Sequence, residues 1–172
     1  MTESMPPDVA TAFDGHDAYE ETDTGYAITT TVFEGIVTVS EADAEWALTY
    51  TLAVAVPTLS TAVEGSVGPA VAEGWLDTFE RRLEDAPKAT RASVDIDEFR
   101  VVPAGESVSV EYTFTLGTPA QAADIAKTFA EYVEGTYAEG IVPGYDYRGP
   151  AAQLIDSAQS GGADGERGGT PL

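Results

Sequence analysis

The chain has 172 residues, 43% of them hydrophobic, which is enough for one domain with a folded core rather than a disordered acidic chain. It carries 30 Asp and Glu against 8 Lys and Arg, a net charge of -22, and no cysteine. This charge argues against binding to nucleic acid or to anionic membranes, and the missing cysteines exclude disulfides, thiolate metal sites and cysteine nucleophiles.

The acidic residues are dispersed along the chain, and only two of the eight basic residues are lysines, Lys88 and Lys127. In dilute buffer such a charge repels itself and destabilises the compact state. In molar salt the Debye length falls to about 3 Å, so the repulsion is screened while hydrated carboxylates keep the surface soluble. The charge pattern therefore predicts a halophilic protein that works at high intracellular salt.

Targeting and membrane signals are missing from this sequence. The first residues lack the basic start and the apolar run of a secretion signal. No apolar stretch approaches the roughly 20 residues that are needed to cross a bilayer. We therefore expect a soluble, cytoplasmic protein.

Residues 1–24 are predicted to form an N-terminal arm. Pro6, Pro7 and Asp8 are typical of a helix start, and Gly15 would end this short helix. The acidic and polar residues that follow predict a loop that leads into the sheet.

The next part of the chain predicts three strands, because β-branched and aromatic residues alternate with smaller ones. In the third strand the row from Trp46 to Val56 is large, whereas the row from Ala47 to Ala55 contains only Thr and Ala. We expect the large row to meet the helices and the small row to face solvent or a partner protein. The three strands span residues 26–33, 36–40 and 46–56.

The second half of the chain predicts a helix, a hairpin and a further helix. Pro69 is a good first helical residue, and Pro87 would end the first of these helices. The last helix is predicted to begin at Pro119 and to end at Gly140, with a pause at Gly135. The hairpin strands span 93–102 and 106–116 and are joined by Pro103-Ala104-Gly105.

The resulting order of elements, α-βββ-α-ββ-α, predicts a two-layer α+β fold: a five-stranded antiparallel sheet with helices on one face. We expect a single domain over residues 25–148. Residues 150–158 could add an amphipathic turn, but the glycines mark 149–172 as a flexible C-terminal tail. The same element order occurs in bacterial secretion chaperones, which are dimeric α+β proteins, and this analogy concerns the fold alone.

Groups that commonly carry catalysis are scarce. His16 is the only histidine and lies in a polar loop, where we expect it to be solvated rather than to act as a general base. Asp95, Asp97 and Glu98 could offer oxygen ligands to Ca²⁺ or Mg²⁺, but their spacing fits no calcium loop and 30 acids produce such clusters by chance. Neither a dinucleotide turn nor a P-loop is present. We predict no catalytic residues, no metal site and no cofactor.

Arg82 is the outlier of the first long helix. It lies on the flank of the apolar stripe that carries Trp75 and Phe79. A guanidinium beside apolar residues needs a partner, such as the carboxylate of Glu134 or Asp146 or an aromatic face. Two hypotheses follow: Arg82 fixes the C-terminal segment in place, or it binds a ligand.

Four of the eight tyrosines lie between residues 130 and 147, around a predicted helix end and a type II turn at Pro143-Gly144. Aromatic rings in such a place most often pack on the core, with their hydroxyls bound to backbone or water. They could instead line a pocket or a protein-binding patch. The predicted ligand-binding set therefore comprises Trp75, Arg82, Tyr132, Tyr137, Tyr145, Asp146 and Tyr147.

Two segments stand out by their composition. They read Gly-Trp-Leu-Asp-Thr-Phe-Glu-Arg-Arg-Leu-Glu-Asp at 74–85 and Val-Glu-Gly-Thr-Tyr-Ala-Glu-Gly-Ile-Val-Pro-Gly-Tyr-Asp-Tyr at 133–147. Both resemble a family of small uncharacterised proteins from haloarchaea, and the resemblance runs from Phe13 to Tyr147. It implies a halophilic setting and no particular activity.

The sequence favours a non-enzymatic protein-interaction domain, chaperone- or adaptor-like, that acts as a homodimer or with a protein partner. The reasons are the lack of a catalytic set and the small Thr and Ala row of the third strand. The alternative is a small-molecule or ion-binding protein with its site near Arg82 and the C-terminal tyrosines. An enzyme ranks third, because only carboxylates, Tyr and Arg are available as catalytic groups.

Overall fold

The computed structural model describes residues 7–90 and 94–157. These residues form an α+β fold around one open antiparallel sheet of six strands in the order β1-β2-β3-β4-β6-β5. The strands are β1 (Tyr19–Glu21), β2 (Tyr26–Ile28), β3 (Glu34–Glu41), β4 (Leu48–Pro57), β5 (Glu98–Ala104) and β6 (Ser107–Leu116). The helices are α1 (Pro7–Asp14), α2 (Leu59–Ala62), α3 (Pro69–Leu83), α4 (Pro119–Glu139) and α5 (149–157), with a 3-10 turn at Ala86–Ala89.

The prediction of five strands is wrong, because β1 adds a sixth at the edge of the sheet. Its three residues pair with β2 from Tyr19↔Ile28 to Glu21↔Tyr26. The Tyr19 hydroxyl also donates a hydrogen bond of 2.6 Å to the carbonyl of Ala123 in α4. Contacts that are distant in sequence therefore hold this acidic segment in the sheet.

The centre of the sheet is the long antiparallel pair β4 and β6, which runs from Leu48↔Leu116 to Pro57↔Ser107. Alternate residues of both strands are buried, as the alternation of large and small side chains predicts. α4 lies against both strands and contributes its own apolar residues to the same core. The buried strand residues are Tyr50, Leu52, Val54, Val56, Val108, Val110, Tyr112 and Phe114.

Trp46 was predicted to begin the third strand and to lie in its core row, and this is wrong. The strand begins at Leu48, and Trp46 is 73% exposed. The chain turns just before the strand, where the Ala47 amide donates to the carbonyl of Ala44. The indole lies over Gly117, where an added Cβ would come within 2.9 Å of Trp46 Cε3.

The first predicted strand is also shorter than expected, since β2 ends at Ile28 rather than at Phe33. The amide of Thr29 donates to the carbonyl of Ala18, and the amide of Phe33 donates to the carboxylate of Glu134. The Thr29 bond continues the β1–β2 pairing by one residue, and the Glu134 bond then fixes the segment before β3 to α4.

The hairpin turn lies two residues later than predicted. β5 continues to Ala104, and Gly105 and Glu106 form the turn, with Gly105 at φ +70°. Residue 93, where the first hairpin strand was predicted to begin, lies outside the described residues. Both long helices begin at their predicted prolines, and α4 runs through Gly135 without a pause.

The segments before and after the sheet share its core. Val9 and Phe13 of α1 are fully buried, and so is Ala151 of α5. α5 extends over 149–157, where the sequence predicts a short amphipathic turn at the start of the tail. The predicted tail residues 158–172 lie outside the described part of the chain.

Candidate functional site

A groove of about 370 Å³ lies between α3 and the C-terminal end of α4. Two of the predicted ligand-binding residues, Trp75 and Arg82, share its wall. We call it the α3–α4 groove, and its main residues are Val71, Trp75, Phe79 and Arg82 on one side and Thr136, Glu139 and Ile141 on the other.

The two helices run in opposite directions along this groove. At one end the Tyr132 hydroxyl donates a hydrogen bond of 2.9 Å to the backbone carbonyl of Arg82. At the other end an added Cβ on Gly140 would lie 3.7 Å from Trp75 Nε1. Seven residues separate Arg82 from Trp75, which corresponds to about 10 Å along a helix. Arg82 and Trp75 therefore lie at different points along one wall.

Aromatic rings form the floor of the groove. The rings of Trp75 and Phe79 stack at a centroid distance of 5.3 Å, and both meet the buried ring of Tyr137 edge-on at 5.5 and 5.6 Å. The Tyr137 hydroxyl donates to the carbonyl of Pro57, which connects α4 to β4. Burial raises the pKa of Tyr137, so this hydroxyl stays protonated as a donor.

Arg82 does not hold the C-terminal segment in place, contrary to the first hypothesis for this residue. It is exposed, and among the described residues its guanidinium forms no ion pair and no hydrogen bond. The C-terminal segment is bound to α2 and the loop after it instead, because the Glu64 amide donates to the Asp146 carbonyl and the Arg148 amide to the Ala62 carbonyl. Arg148 Nε adds a hydrogen bond to the Thr61 carbonyl.

The other predicted site residues lie around this region without lining the groove. Tyr147 forms a bridge with Val63, and its hydroxyl accepts a hydrogen bond of 2.9 Å from the amide of Val142. Tyr145 is half-buried against the core, and Asp146 is exposed. Tyr132, Tyr137 and Tyr147 thus use their hydroxyls within the protein, and only Trp75 and Arg82 meet in one cavity.

Glu134, named above as a candidate partner of Arg82, bonds to a different part of the chain. Its side chain is half-buried, and its carboxylate accepts a hydrogen bond of 2.6 Å from the Phe33 amide. Burial raises the pKa of Glu134, while the amides of Phe33 and Val32 partly offset that effect. This carboxylate serves the fold and is directed away from the groove, toward the loop before β3.

His16 was predicted to be a solvated loop residue, but its ring nitrogens have partners within the protein. Its ring is 20% exposed, and Nε2 lies 2.8 Å from a carboxylate oxygen of Asp124 in α4. Nδ1 accepts a hydrogen bond from the Ala18 amide, which fixes the hydrogen on Nε2. The histidine therefore links the turn after α1 to α4.

The acidic cluster around Asp97 has a structural partner. The carboxylate of Asp97 accepts a hydrogen bond of 2.7 Å from the Thr115 hydroxyl. Within residues 7–90 and 94–157, no group of three His, Cys, Asp or Glu side chains lies close enough together to hold a metal ion. Nor is any helix in these ranges long and apolar enough to cross a membrane.

A second candidate surface is formed by strand residues that point away from the core. Thr49 and Thr115 pair through their hydroxyls at 3.1 Å, and Thr51 and Thr113 do so at 3.2 Å. A shallow depression of about 410 Å³ lies beside them. We call this surface the outer sheet face. Its central residues are Ile36, Thr38, Thr49, Thr51, Ala53, Ala55, Ser109, Glu111, Thr113 and Thr115, and its margins carry Glu34, Asp97, Glu98 and Arg100.

The predicted ligand-binding set lacks five main residues of the α3–α4 groove, namely Val71, Phe79, Thr136, Glu139 and Ile141. Val71 is 41% exposed and Ile141 is 37% exposed, which is unusual for large apolar side chains. No pattern in the sequence identifies them, because their exposure depends on how the end of α4 lies against α3. Thr136 is buried in α4.

Comparison with known proteins places the chain in a family. A family model described as "Family of unknown function (DUF5813)" matches residues 14–157, well over half of the chain. The chain belongs to DUF5813. The match contains both segments singled out in the sequence, 74–85 and 133–147, and it ends within α5.

The DUF5813 assignment confirms the resemblance to a family of unknown function. No curated protein and no solved structure matches the chain. The α3–α4 groove and the outer sheet face are therefore the features from which a function for this DUF5813 chain has to be argued.

Proposed function

We propose that this protein is a cytoplasmic protein-interaction domain of a halophilic cell, adaptor- or chaperone-like, in which two copies associate through the outer sheet face. All helices would form one layer on the core side of the sheet, leaving the other side to the second copy. The observation that carries the proposal is the cluster of Thr, Ala and Ile side chains on this face, in a protein of net charge -22.

The charge distribution favours a second copy as the occupant. Molar salt screens the long-range repulsion between two molecules of charge -22, but carboxylates buried between them would still have to be desolvated. The outer sheet face and its margins carry four acids, Glu34, Asp97, Glu98 and Glu111, and one base, Arg100, which lies 3.4 Å from the Glu111 carboxylate. Association through this face therefore desolvates few of the 30 acids in the sequence.

The chemistry of the face also suits burial. The threonine hydroxyls bond to each other across β4 and β6, so that their methyl groups remain for contact with a partner. Ile36, Ala53 and Ala55 extend the apolar area and line the shallow depression. Small side chains allow close approach of two sheets, which pack about 10 Å apart.

The size of the face is adequate for a stable dimer. β4 has ten residues, and five neighbouring strands extend from β2 to β5 in sheet order. With strands about 4.8 Å apart and a rise of about 3.3 Å per residue, the 38 residues of these strands cover about 600 Å², the lower end of the standard range of about 600–1,000 Å² on each partner. A standard protein interface buries about 800 Å² on each partner.

The test is the molar mass of the protein in molar KCl, measured by light scattering after size-exclusion chromatography over a range of concentrations. We expect the mass of a dimer. Thr51→Glu, which places a charge in the middle of the face, should give a monomer. Thr24→Glu makes the same change at an exposed turn position and should leave the dimer intact.

Circular dichroism and the urea unfolding midpoint must show that each variant is folded. Ala55→Lys is a second variant at an exposed position of the face, opposite Glu34 in the ladder, and it should also give a monomer. A parent protein that stays monomeric at all concentrations overturns the proposal. So does a dimer that survives both substitutions on the face.

A further inference from the structure

We propose that the α3–α4 groove binds a small organic monocarboxylate with an apolar body, and that Arg82 receives the carboxylate. The groove is separate from the outer sheet face and shares no residue with it. The site thus goes beyond the proposed dimer and can fail or succeed independently of it.

The apolar part of the site is open to solvent. Trp46, Val71 and Ile141 are the only large apolar side chains that are exposed in the described part of the chain, and Val71 and Ile141 both line this groove. The stacked rings of Trp75 and Phe79 lie beneath them. Apolar walls around a concave volume of about 370 Å³ fit a small ligand with an apolar body.

The polar groups of the groove lack partners. The Arg82 guanidinium, the Trp75 indole N–H and the Thr136 hydroxyl form no hydrogen bond with any described residue. Thr136 is 5% exposed and is the only buried polar side chain in the described ranges apart from tyrosines. Two of these groups can only donate, and a hydroxyl can donate as well. The ligand is therefore expected to supply acceptor oxygens.

A carboxylate is the acceptor that Arg82 selects. The planar guanidinium can donate two parallel hydrogen bonds to a carboxylate, and this contact persists at salt concentrations that screen distant charges. In a chain with 30 acids, Lys88, Arg100 and Lys127 each have a carboxylate within 4.0 Å. Arg148 donates to the Thr61 carbonyl, and Arg81 has no carboxylate partner among the described residues. The exposed Arg82 lies in a cavity and has none.

Glu139 restricts the ligand to a single carboxylate. It lines the groove at the end of α4, seven residues beyond Tyr132, whose hydroxyl marks the position of Arg82. Seven helical residues span about 10 Å, so a second carboxylate at the far end of a ligand would approach Glu139. In a partly enclosed groove, repulsion between the Glu139 carboxylate and a second ligand carboxylate close to it disfavours binding of a dicarboxylate.

The probe is hexanoate, and Trp75 reports its binding. The chain has two tryptophans, and replacing the exposed Trp46 by Phe leaves Trp75 as the only fluorescent indole. Hexanoate added at constant KCl should change the Trp75 emission in a saturable manner, with a Kd of about millimolar as expected for so few atoms. Hexanamide, hexylamine and adipate should bind more weakly.

Two neighbouring arginines provide a matched pair of variants. Arg82→Gln should weaken hexanoate binding by about tenfold or more, because it removes a charged hydrogen-bond donor. Arg81→Gln removes the same charge next to the groove but outside its lining and should bind hexanoate like the parent. Glu139→Gln should increase the affinity for adipate more than that for hexanoate.

The Tyr132 hydroxyl bonds to the backbone of Arg82, so the Gln variant retains that contact and should fold normally. The proposal is overturned if hexanoate gives no saturable change, or if hexanamide or hexylamine binds as tightly as hexanoate. Equal binding by the parent and by Arg82→Gln, or an equal loss in both arginine variants, also overturns it.

Discussion

The carboxylate of Glu134 accepts a hydrogen bond of 2.6 Å from the amide N–H of Phe33, 101 residues earlier in the chain. The bond fastens the loop before β3 to the middle of α4. The Phe33 ring meets Tyr137 edge-on at 4.9 Å, which adds an apolar contact at the same place. One polar and one apolar contact with α4 thus hold the segment before β3 in place.

We expect Glu134→Gln to increase the free energy of unfolding at neutral pH. Burial raises the pKa of Glu134, so the folded protein holds this proton more tightly than the unfolded chain does. Its contribution to stability is therefore greatest below the unfolded pKa and is lost as pH rises through the folded pKa. Glutamine keeps an oxygen for the Phe33 amide without the charge.

The measurement is urea unfolding of the parent and the variant at constant KCl between neutral pH and about pH 4, near the ordinary pKa of a glutamate. The difference in free energy of unfolding between Glu134→Gln and the parent should become smaller as the pH falls. Glu139→Gln removes the same charge from an exposed position of α4 and should show a smaller, flatter difference. A Glu134→Gln variant that is less stable than the parent at neutral pH would contradict the prediction.

The two central tyrosines of the sheet should respond differently to loss of the hydroxyl. Both are buried, but the Tyr112 hydroxyl donates a 2.7 Å hydrogen bond to the Leu83 carbonyl, whereas the Tyr50 hydroxyl has no partner among the described residues. Burial raises the pKa of Tyr50 to about 12, so it remains a neutral phenol. Tyr112→Phe should cost about 1–2 kcal/mol, and Tyr50→Phe should be neutral or stabilising.

Urea unfolding at neutral pH compares the two phenylalanine variants directly. Each substitution removes one oxygen from a buried ring on neighbouring strands, so the difference between them isolates the hydrogen bond. Equal destabilisation by both would mean that the Tyr50 hydroxyl has a partner in solution.

Elements with a strong local pattern could be predicted from the sequence. β6 alternates over its full length, and α3 and α4 begin at Pro69 and Pro119 as expected. In these segments the hydrophobic period and the helix-start residues favour the same structure that the core requires. Their contacts with the rest of the protein then reinforce a local preference.

Elements that depend on distant contacts could not be predicted. β1 has only three residues, and one of them is buried. A segment of this length is too short to show a hydrophobic period. Residues 29–33 have high β-propensity, but the Phe33 amide donates to the carboxylate of Glu134 in α4 and not to a neighbouring strand. Trp46 continues the core row in sequence, yet the turn before β4 leaves it exposed.

Only one wall of the α3–α4 groove could be predicted from the sequence. The helical wheel placed Trp75 beside Arg82, and the structure has both in one groove. The opposite wall depends on where α4 ends and on how the following residues fold back, so Glu139 and Ile141 carry no recognisable signal. Three of the four tyrosines that were predicted to belong to the site form hydrogen bonds with backbone groups. The spacing of residues in the sequence does not reveal these bonds.

Two glycine-to-alanine substitutions should have opposite effects on stability. Gly144 has φ +94° in the turn after α4, where alanine is strained although nothing lies within 4 Å of its Cβ position. Gly135 lies within α4 with equally open space. Gly144→Ala should cost about 1 kcal/mol, and Gly135→Ala should gain about 0.5–1 kcal/mol. Thermal unfolding at fixed salt measures the change in stability of both variants. A Gly135→Ala variant that is less stable than the parent would contradict the prediction and indicate that α4 needs a kink at Gly135.

α5 should be an integral part of the fold. Leu154 is buried, whereas its neighbour Gln153 is exposed. Leu154→Ala should lower the free energy of unfolding by about 2–4 kcal/mol, because it leaves a cavity in the core. Gln153→Ala shortens a side chain in the same turn and should change it by less than about 0.5 kcal/mol. A negligible effect of Leu154→Ala in urea unfolding would show that α5 does not pack on the core in solution.

The fold should be lost on dialysis from molar KCl to dilute buffer. In the described chain five acids pair with a basic residue or with His16, namely Asp85, Glu98, Glu111, Asp124 and Glu131, out of 30 acids in the sequence. The Debye length grows from about 3 Å at 1 M salt to about 30 Å at 0.01 M, so the repulsion between the other carboxylates becomes unscreened. Far-ultraviolet circular dichroism follows the loss, and sucrose at equal osmolality should not prevent it. A spectrum that is unchanged at low salt, or that sucrose preserves as well as KCl does, would contradict stabilisation by charge screening.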